Sequence, residues 1–218
     1  MELIPLIHFF VRAFAGVFVI LDPFGASSHF LALTSQHPTS LKKAIAQKAC
    51  MVAFGVLIFF SLAGGALFKY FGLTLAALKI AGGILLFTIA LGMLYGKRTG
   101  AKITPEEEKE HSEPDEDITV IPMAIPILSG PGAITTVMVL SGEAQTPMKL
   151  SMVLLAILIS IIICYWVLAN SVVILKLLRT TGVKILTRIM GLIMSVIAVQ
   201  FVINGIIDVL PTLIKKLG

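Results

Sequence analysis

Two clusters of proline and glycine interrupt strongly apolar stretches of this chain: Asp22-Pro23-Phe24-Gly25 and Ser129-Gly130-Pro131-Gly132. Proline and glycine break the hydrogen-bond ladder of a helix, and a break inside a membrane survives only where protein buries it or it lines a cavity. Each proline is suited to the first position of a new half-helix, with Asp22 and either Ser129 or Gly130 as the N-cap. The free backbone N–H groups and the positive dipole end of such a half-helix attract an anion.

These two half-helices predict a binding site for a zwitterion. Two helix N-termini suit a carboxylate, whereas Asp22 and the carbonyl groups near Leu21 and Leu128 can accept hydrogen bonds from an ammonium group or hold a cation. A free amino acid carries both charged groups. Because an ionisable residue inside a span is a functional candidate, Asp22 is expected to bind H⁺, Na⁺ or the ammonium group. The alternative is that Asp22 only caps its half-helix, and one carboxylate can do both.

Small hydroxyl side chains follow each break within one helical turn. They either line the cavity or hydrogen-bond back to their own helix, and lining is the favoured interpretation. The predicted substrate-binding residues are Asp22, Pro23, Gly25, Ser27, Ser28, Ser129, Gly130, Pro131, Gly132, Thr135 and Thr136. Gln200 and Asn204, on one face of a later span, are equally compatible with lining the cavity and with hydrogen bonds between helices.

Motifs for other chemistries are absent from the sequence. It contains no Gly-x-Ser-x-Gly motif, no paired carboxylates within a span and no His/Cys/Asp cluster at metal-ligand spacing. It also lacks the Gly-x-x-x-x-Gly-Lys-Ser/Thr loop that an ATP-driven pump would need. We therefore expect neither an enzyme nor a bound metal or cofactor, apart from H⁺ or Na⁺ as a coupling ion held by Asp22.

The composition indicates that these motifs lie in a membrane protein. Of the 218 residues, 57% are hydrophobic and only 13% are charged, about half the charged fraction of a soluble domain. The mean hydropathy is +1.01. The net charge of +5 comes from short basic loops beside the apolar stretches, with no aromatic residues interleaved, so nucleic-acid binding is not expected.

The apolar stretches predict an all-α polytopic protein with six transmembrane spans. The spans lie at about 3–33, 49–68, 75–95, 118–141, 150–175 and 188–210. The breaks fall in spans one and four, and span four as a continuous helix would measure ~36 Å, enough to cross a ~30 Å hydrocarbon core. Residues 97–117 are densely charged and typical of a solvated linker between a first repeat at 1–96 and a second at 118–218.

An internal repeat is predicted from matches between the two halves. A shift of 108 residues places Pro23 on Pro131, and a shift of 109 places Gly82 on Gly191. Coincidence among apolar residues is the alternative explanation. Since each half has three spans, the halves must be inverted, and matched breaks in an inverted repeat mark the substrate site of secondary transporters.

The basic residues predict how the chain crosses the membrane. Most of the 17 lysine and arginine residues fall on the side of the linker, so that side is expected to be cytoplasmic and both termini outside. The expected location is the inner (plasma) membrane, with multiple spans. Lys79 and Arg188, which begin spans three and six, are expected to snorkel to opposite interfaces.

Four segments resemble motifs of the MarC family of multi-spanning inner-membrane proteins, also described as the neutral amino acid transporter family. They are Asp22-Pro23-Phe24-Gly25, Ile80-Ala81-Gly82-Gly83-Ile84-Leu85, Pro122-Met123-Ala124-Ile125-Pro126 leading into Gly130-Pro131-Gly132, and Arg188-Ile189-Met190-Gly191 through to Asn204-Gly205-Ile206. The resemblance covers essentially the whole chain in the right order. It implies six spans in inverted halves and transport of small neutral amino acids such as glycine or alanine.

One segment departs from the family pattern. The family commonly follows its first Asp-Pro-x-Gly with Asn-x-Pro, where this chain has Ala26 and Ser28. If the asparagine contacts substrate in relatives, Ser27, Ser28 or the backbone must replace it here.

The expected function is ion-coupled transport of small neutral amino acids by alternating access. The alternative is a passive channel, or an exporter, for another small polar or zwitterionic solute. The expected partners are the amino acid and the lipid bilayer, and the sequence is also compatible with a homo-oligomer.

Overall fold

The computed structural model describes residues 3–96 and 127–217. The predicted linker at 97–117 and the first part of predicted span four, 118–126, lie outside the described residues. Within the two described ranges every regular element is helical, which confirms the all-α prediction for that part of the chain.

Seven helices make up the described part of the chain. They are α1 (Leu3–Leu21), α2 (Pro23–Leu33), α3 (Thr39–Phe71), α4 (Leu75–Tyr95), α5 (Pro131–Glu143), α6 (Pro147–Ala169) and α7 (Ser171–Leu217). Within residues 3–96 and 127–217, five stretches are long and apolar enough to cross a membrane: Ile4–Leu33, Thr39–Phe71, Leu75–Tyr95, Pro147–Ala169 and Ser171–Pro211. Helix α5 has 13 residues, and its length of ~20 Å does not cross a hydrocarbon core of ~30 Å by itself.

Local chemistry sets both ends of α4, and its bounds are those predicted for span three. The helix follows Thr74, whose hydroxyl oxygen accepts a hydrogen bond from the Ala77 N–H at 3.1 Å. It ends before Gly96, which adopts the left-handed conformation (φ 65) that glycine tolerates without strain.

The predicted end of span five, at about 175, is wrong. Helix α6 ends at Ala169, where the side-chain amide of Asn170 donates to the Trp166 carbonyl at 2.8 Å. Helix α7 follows directly, and its one non-helical residue, Arg179 (φ 55, ψ 175), introduces a kink. Residues 176–187, which lie between predicted spans five and six, are therefore helical except for Arg179.

Helices α4 and α7 pack antiparallel at close range through glycines. Gly205 lies against Ala76 near the start of α4, and Gly191 lies against Ala90 near its end. A Cβ atom on Gly83 would lie 2.6 Å from the Ala198 carbonyl oxygen, closer than real Cβ contacts come. The pair can therefore approach this closely only because these positions lack side chains.

Helix α6 runs parallel to α1 and packs against the long helices α1 and α3 and the half-helix α2. Near the starts of α1 and α6, Lys149 Nζ lies 5.7 Å from the centre of the Phe9 ring. The second half-helix, α5, packs against α1, α3 and α4, so the two half-helices are enclosed by the longer helices.

Candidate functional site

The first break is formed by Asp22, which separates α1 from α2 as predicted. Its backbone is left-handed (φ 43, ψ 64), a conformation that aspartate tolerates better than most residues. The side chain is buried, with 1% exposed, and its Oδ1 accepts a hydrogen bond from the Gly25 N–H at 3.2 Å. The predicted capping role is therefore observed, and Pro23 occupies the first turn of α2.

Gly25 is required by the position of this carboxylate. A Cβ atom at Gly25 would lie 2.1 Å from Asp22 Oδ2, well inside van der Waals contact. The Asp-Pro-x-Gly motif therefore has a defined geometry: the proline starts the half-helix, and the glycine leaves space for the capping carboxylate.

The second break has the same outline but a different cap. Gly130 is the N-cap of α5 and, as a glycine, has no side chain with which to cap the helix; Pro131 occupies the first turn. Ser129, immediately before it, is fully buried. The N-cap position of α5 thus carries no carboxylate of its own, whereas that of α2 carries Asp22.

The fold brings the two breaks together. A Cβ atom on Gly132 would lie 3.0 Å from Ile20 Cδ1, and Ile20 is two residues before Asp22. A Cβ atom on Gly132 would also lie 2.9 Å from Ile89 Cδ1 and 3.3 Å from Leu86 Cδ2. Since Leu86 and Ile89 lie near the middle of the membrane-spanning helix α4, both breaks lie at about mid-depth in the bilayer.

The hydroxyl groups after the breaks donate to their own helices. The Oγ of Ser27 donates to the Phe24 carbonyl at 2.7 Å. The Oγ1 atoms of Thr135 and Thr136 each donate at 2.8 Å, to the carbonyls of Pro131 and Gly132. Their protons are therefore engaged by the backbone, and only their oxygen lone pairs are left to accept a bond from a substrate.

Packing also fixes where Thr135 points. Its Cγ2 lies 2.1 Å from where a Cβ of Gly82 would be, so its methyl group occupies the space that this glycine leaves on α4. Thr135 and Ser28 are both half-buried. Thr135 therefore serves to seat α5 on α4, in addition to any contact with substrate.

Gln200 and Asn204 are not among the buried residues around the breaks. Gln200 Nε2 donates to Asn204 Oδ1 at 2.7 Å on the exposed surface of α7. The buried face of α7 instead carries Ala198 and Phe201. Asn204 is half-buried, and Asp208, one turn further along the same face of α7, pairs with the buried Lys79, so cavity lining by Gln200 and Asn204 stays a prediction.

A buried ion-pair network was missed from the sequence. Lys79 is only 6% exposed, and its Nζ lies 2.9 Å from Glu143 Oε1 and 2.8 Å from Asp208 Oδ2. Arg12 pairs with the same Glu143 carboxylate. The network joins α1, α4, α5 and α7. The sequence signal for it was that two acidic residues, Glu143 and Asp208, fall on the same predicted side of the membrane as Lys79.

The prediction that Lys79 snorkels to an interface is therefore wrong. Two carboxylates satisfy its charge inside the protein, so the side chain need not reach water. Its repeat counterpart, Arg188, is exposed. Lys79 precedes Leu86 by seven residues, or ~10 Å of helix, so the network lies to one side of the breaks.

Comparisons with known proteins give one consistent result. The family model described as MarC family integral membrane protein matches residues 7–210. UPF0056 membrane protein MJ1677 of Methanocaldococcus jannaschii is 42% identical over 92% of this chain and 97% of its own. UPF0056 membrane protein YvbG of Bacillus subtilis is 35% identical, over 94% and 97% respectively. These matches confirm the resemblance inferred from the sequence motifs, and no solved structure matches the chain significantly.

Proposed function

Because the chain belongs to the MarC family of integral membrane proteins, we propose that it is a secondary transporter of small neutral amino acids such as glycine and alanine. The observation that carries this proposal is the meeting of two half-helix starts at mid-depth, one with a buried carboxylate and one without. The start of α5 offers N–H groups to the substrate carboxylate. Asp22 offers a negative charge to the substrate ammonium group or to a coupling H⁺ or Na⁺.

The neighbours of Gly132 also favour a small substrate. Ile20, Leu86 and Ile89 close around the start of α5 with side-chain carbons. An amino acid with a hydrogen or methyl side chain fits such surroundings, whereas a charged side chain would lose its hydration without a partner.

The packing pattern supports the proposal of two inverted three-span halves. In such a repeat α2 corresponds to α5, α3 to α6 and α4 to α7. The contacts of α2 with α6 and α7 then correspond to those of α5 with α3 and α4, and all four contacts are present. The pairs α3–α6 and α4–α7 map onto themselves. In this proposal α5 is the second half of span four, which brings the number of spans to six, and the matched broken spans one and four hold the substrate.

The proposed orientation places the ion-pair network on the outer side. The positive-inside rule puts the linker side in the cytoplasm and the termini outside the inner membrane. The network lies at the end of α4 that follows the loop between α3 and α4, which is outside in this topology. An alternating-access cycle would then open the outer side by separating Lys79 from its carboxylates.

Uptake into proteoliposomes tests the proposed function. Purified protein should accumulate labelled glycine or alanine with saturable kinetics, and accumulation should follow an imposed pH or Na⁺ gradient. Protein-free liposomes provide the baseline. Saturable uptake that ignores both gradients would indicate a passive pathway, and no saturable uptake of either amino acid would refute the proposal.

A further inference from the structure

Ser160, near the middle of α6, is a fully buried side chain whose hydroxyl has no hydrogen-bond partner in the described part of the chain. Most of the other buried hydroxyls have hydrogen-bond partners in the structure: Ser27, Thr34 and Thr136 donate to backbone carbonyls, and Ser61 pairs with the hydroxyl of Ser141. A buried hydroxyl without a partner is unfavourable in apolar surroundings. It therefore calls for a partner that is present only part of the time, such as a ligand.

The depth of Ser160 follows from the register of two parallel helices. Lys149 of α6 lies beside Phe9 of α1. The same number of residues separates Lys149 from Ser160 and Phe9 from Ile20, which corresponds to ~16 Å of helix rise. Ser160 therefore lies at about the depth of Ile20, the residue that meets Gly132 where the two breaks come together.

The neighbours of α6 include the elements of the first break. Helix α6 packs mainly against α1 and α3, with smaller contacts to α2 and α5, and α1 and α2 flank the first break. One turn before and one turn after Ser160 lie Ala156 and Cys164, both fully buried and both small. Among the described residues, Ser160 thus carries the one hydroxyl at mid-depth on the buried face of α6.

The geometry points to Ser160 as a substrate-binding residue, contributed by span five to the site between the half-helices. Its hydroxyl would donate to the substrate carboxylate or accept from the ammonium group, and it would complete its own hydrogen bonding only when substrate is bound. This inference rests on the proposed transport function, and it adds a contact from a helix that the sequence motifs do not include.

The test compares Ser160→Ala with Ser151→Ala in the uptake assay. Ser151 lies on the same helix but is exposed, and its Oγ donates to the Met148 carbonyl at 2.8 Å. Ser160→Ala should raise the KM for glycine about tenfold, the effect of one lost hydrogen bond to a charged group, while Ser151→Ala should leave KM unchanged. Maximal rate and gradient dependence should stay within about twofold for both variants.

A second measurement separates binding from folding. Glycine should raise the Tm of the detergent-solubilised wild type, and Ser160→Ala should need about ten times more glycine for the same rise. Without glycine the Tm of Ser160→Ala should be equal to or above that of the wild type, because the variant removes the unpaired hydroxyl. A wild-type KM and glycine response in Ser160→Ala would overturn this inference while leaving the transport function intact. Failure of the wild type itself to bind or transport glycine would overturn both.

Discussion

Asp22→Asn should lower gradient-driven glycine accumulation by about 10- to 100-fold while leaving the protein folded. The substitution replaces a carboxylate by an amide of the same shape. Asparagine caps helices as well as aspartate does and tolerates the left-handed conformation of residue 22, so the half-helix should still begin at Pro23. The substitution removes the negative charge. Losing a charge-assisted hydrogen bond of ~1.5–3 kcal/mol weakens binding of the ammonium group or the coupling ion by about 10- to 100-fold, which is the expected fall in accumulation. Uptake into proteoliposomes under an imposed gradient measures it.

Asp22→Ala is the matched variant for the cap. It removes the charge and the hydrogen bond from the Gly25 N–H together. Its free energy of unfolding should therefore be lower than that of Asp22→Asn by the effect of a lost cap, about 1 kcal/mol, which a lower Tm would report. If Asp22→Asn keeps its full response to the ion gradient, Asp22 is only a cap and the coupling ion binds elsewhere.

Lys79→Met should destabilise the protein by about 3 kcal/mol. The substitution leaves Glu143 and Asp208 without their shared cation, and breaking a buried ion pair by removing one partner costs ~3–5 kcal/mol. The lower end is expected because 43% of the Asp208 side chain is exposed. Unfolding of the purified protein in detergent, followed by denaturant or by temperature, measures the loss.

Two further variants separate charge from packing. Arg12→Met removes a partner of the same Glu143 carboxylate, but 52% of the Arg12 side chain is exposed, so its cost should stay below about 1 kcal/mol. Adding Glu143→Gln and Asp208→Asn to Lys79→Met should restore most of the stability, because the only charge left without its partner is that of Arg12, whose side chain is half exposed. If Lys79→Met is no more harmful than Arg12→Met, the network does not hold the four helices together.

The network also has a place in the proposed transport cycle. Arg12, Lys79, Glu143 and Asp208 each lie on a different helix, and α1 and α5 flank the two breaks. In the proposed alternating-access cycle, opening the outer side separates these helices, so the ion pairs break in each cycle.

The features predictable from the sequence are those that local chemistry determines. Pro23 and Pro131 start helices because proline lacks an N–H and has a fixed φ. Leu75–Tyr95 is bounded by Thr74 and Gly96, whose capping roles follow from residue type. The meeting of the two breaks is what the predicted internal repeat led us to expect.

The features that could not be predicted depend on the packing of distant segments. Lys79 and Asp208 are 129 residues apart in sequence, and only the antiparallel packing of α4 and α7 brings them together. The orientation of Gln200 was equally hidden, because α7 is apolar on most of its circumference and periodicity does not select the buried face. The end of span five was obscured because the apolar run continues beyond Asn170.

The most direct test of the central claim, a zwitterion site between two half-helix starts, is a comparison of ligands that lack one charge. Binding to the purified protein is measured by calorimetric titration with glycine, glycinamide and N-acetylglycine. Glycinamide lacks the carboxylate and N-acetylglycine lacks the ammonium group, so each should bind at least ~10-fold more weakly than glycine. Equal binding of all three compounds, or no binding of glycine, would contradict the assignment of this site.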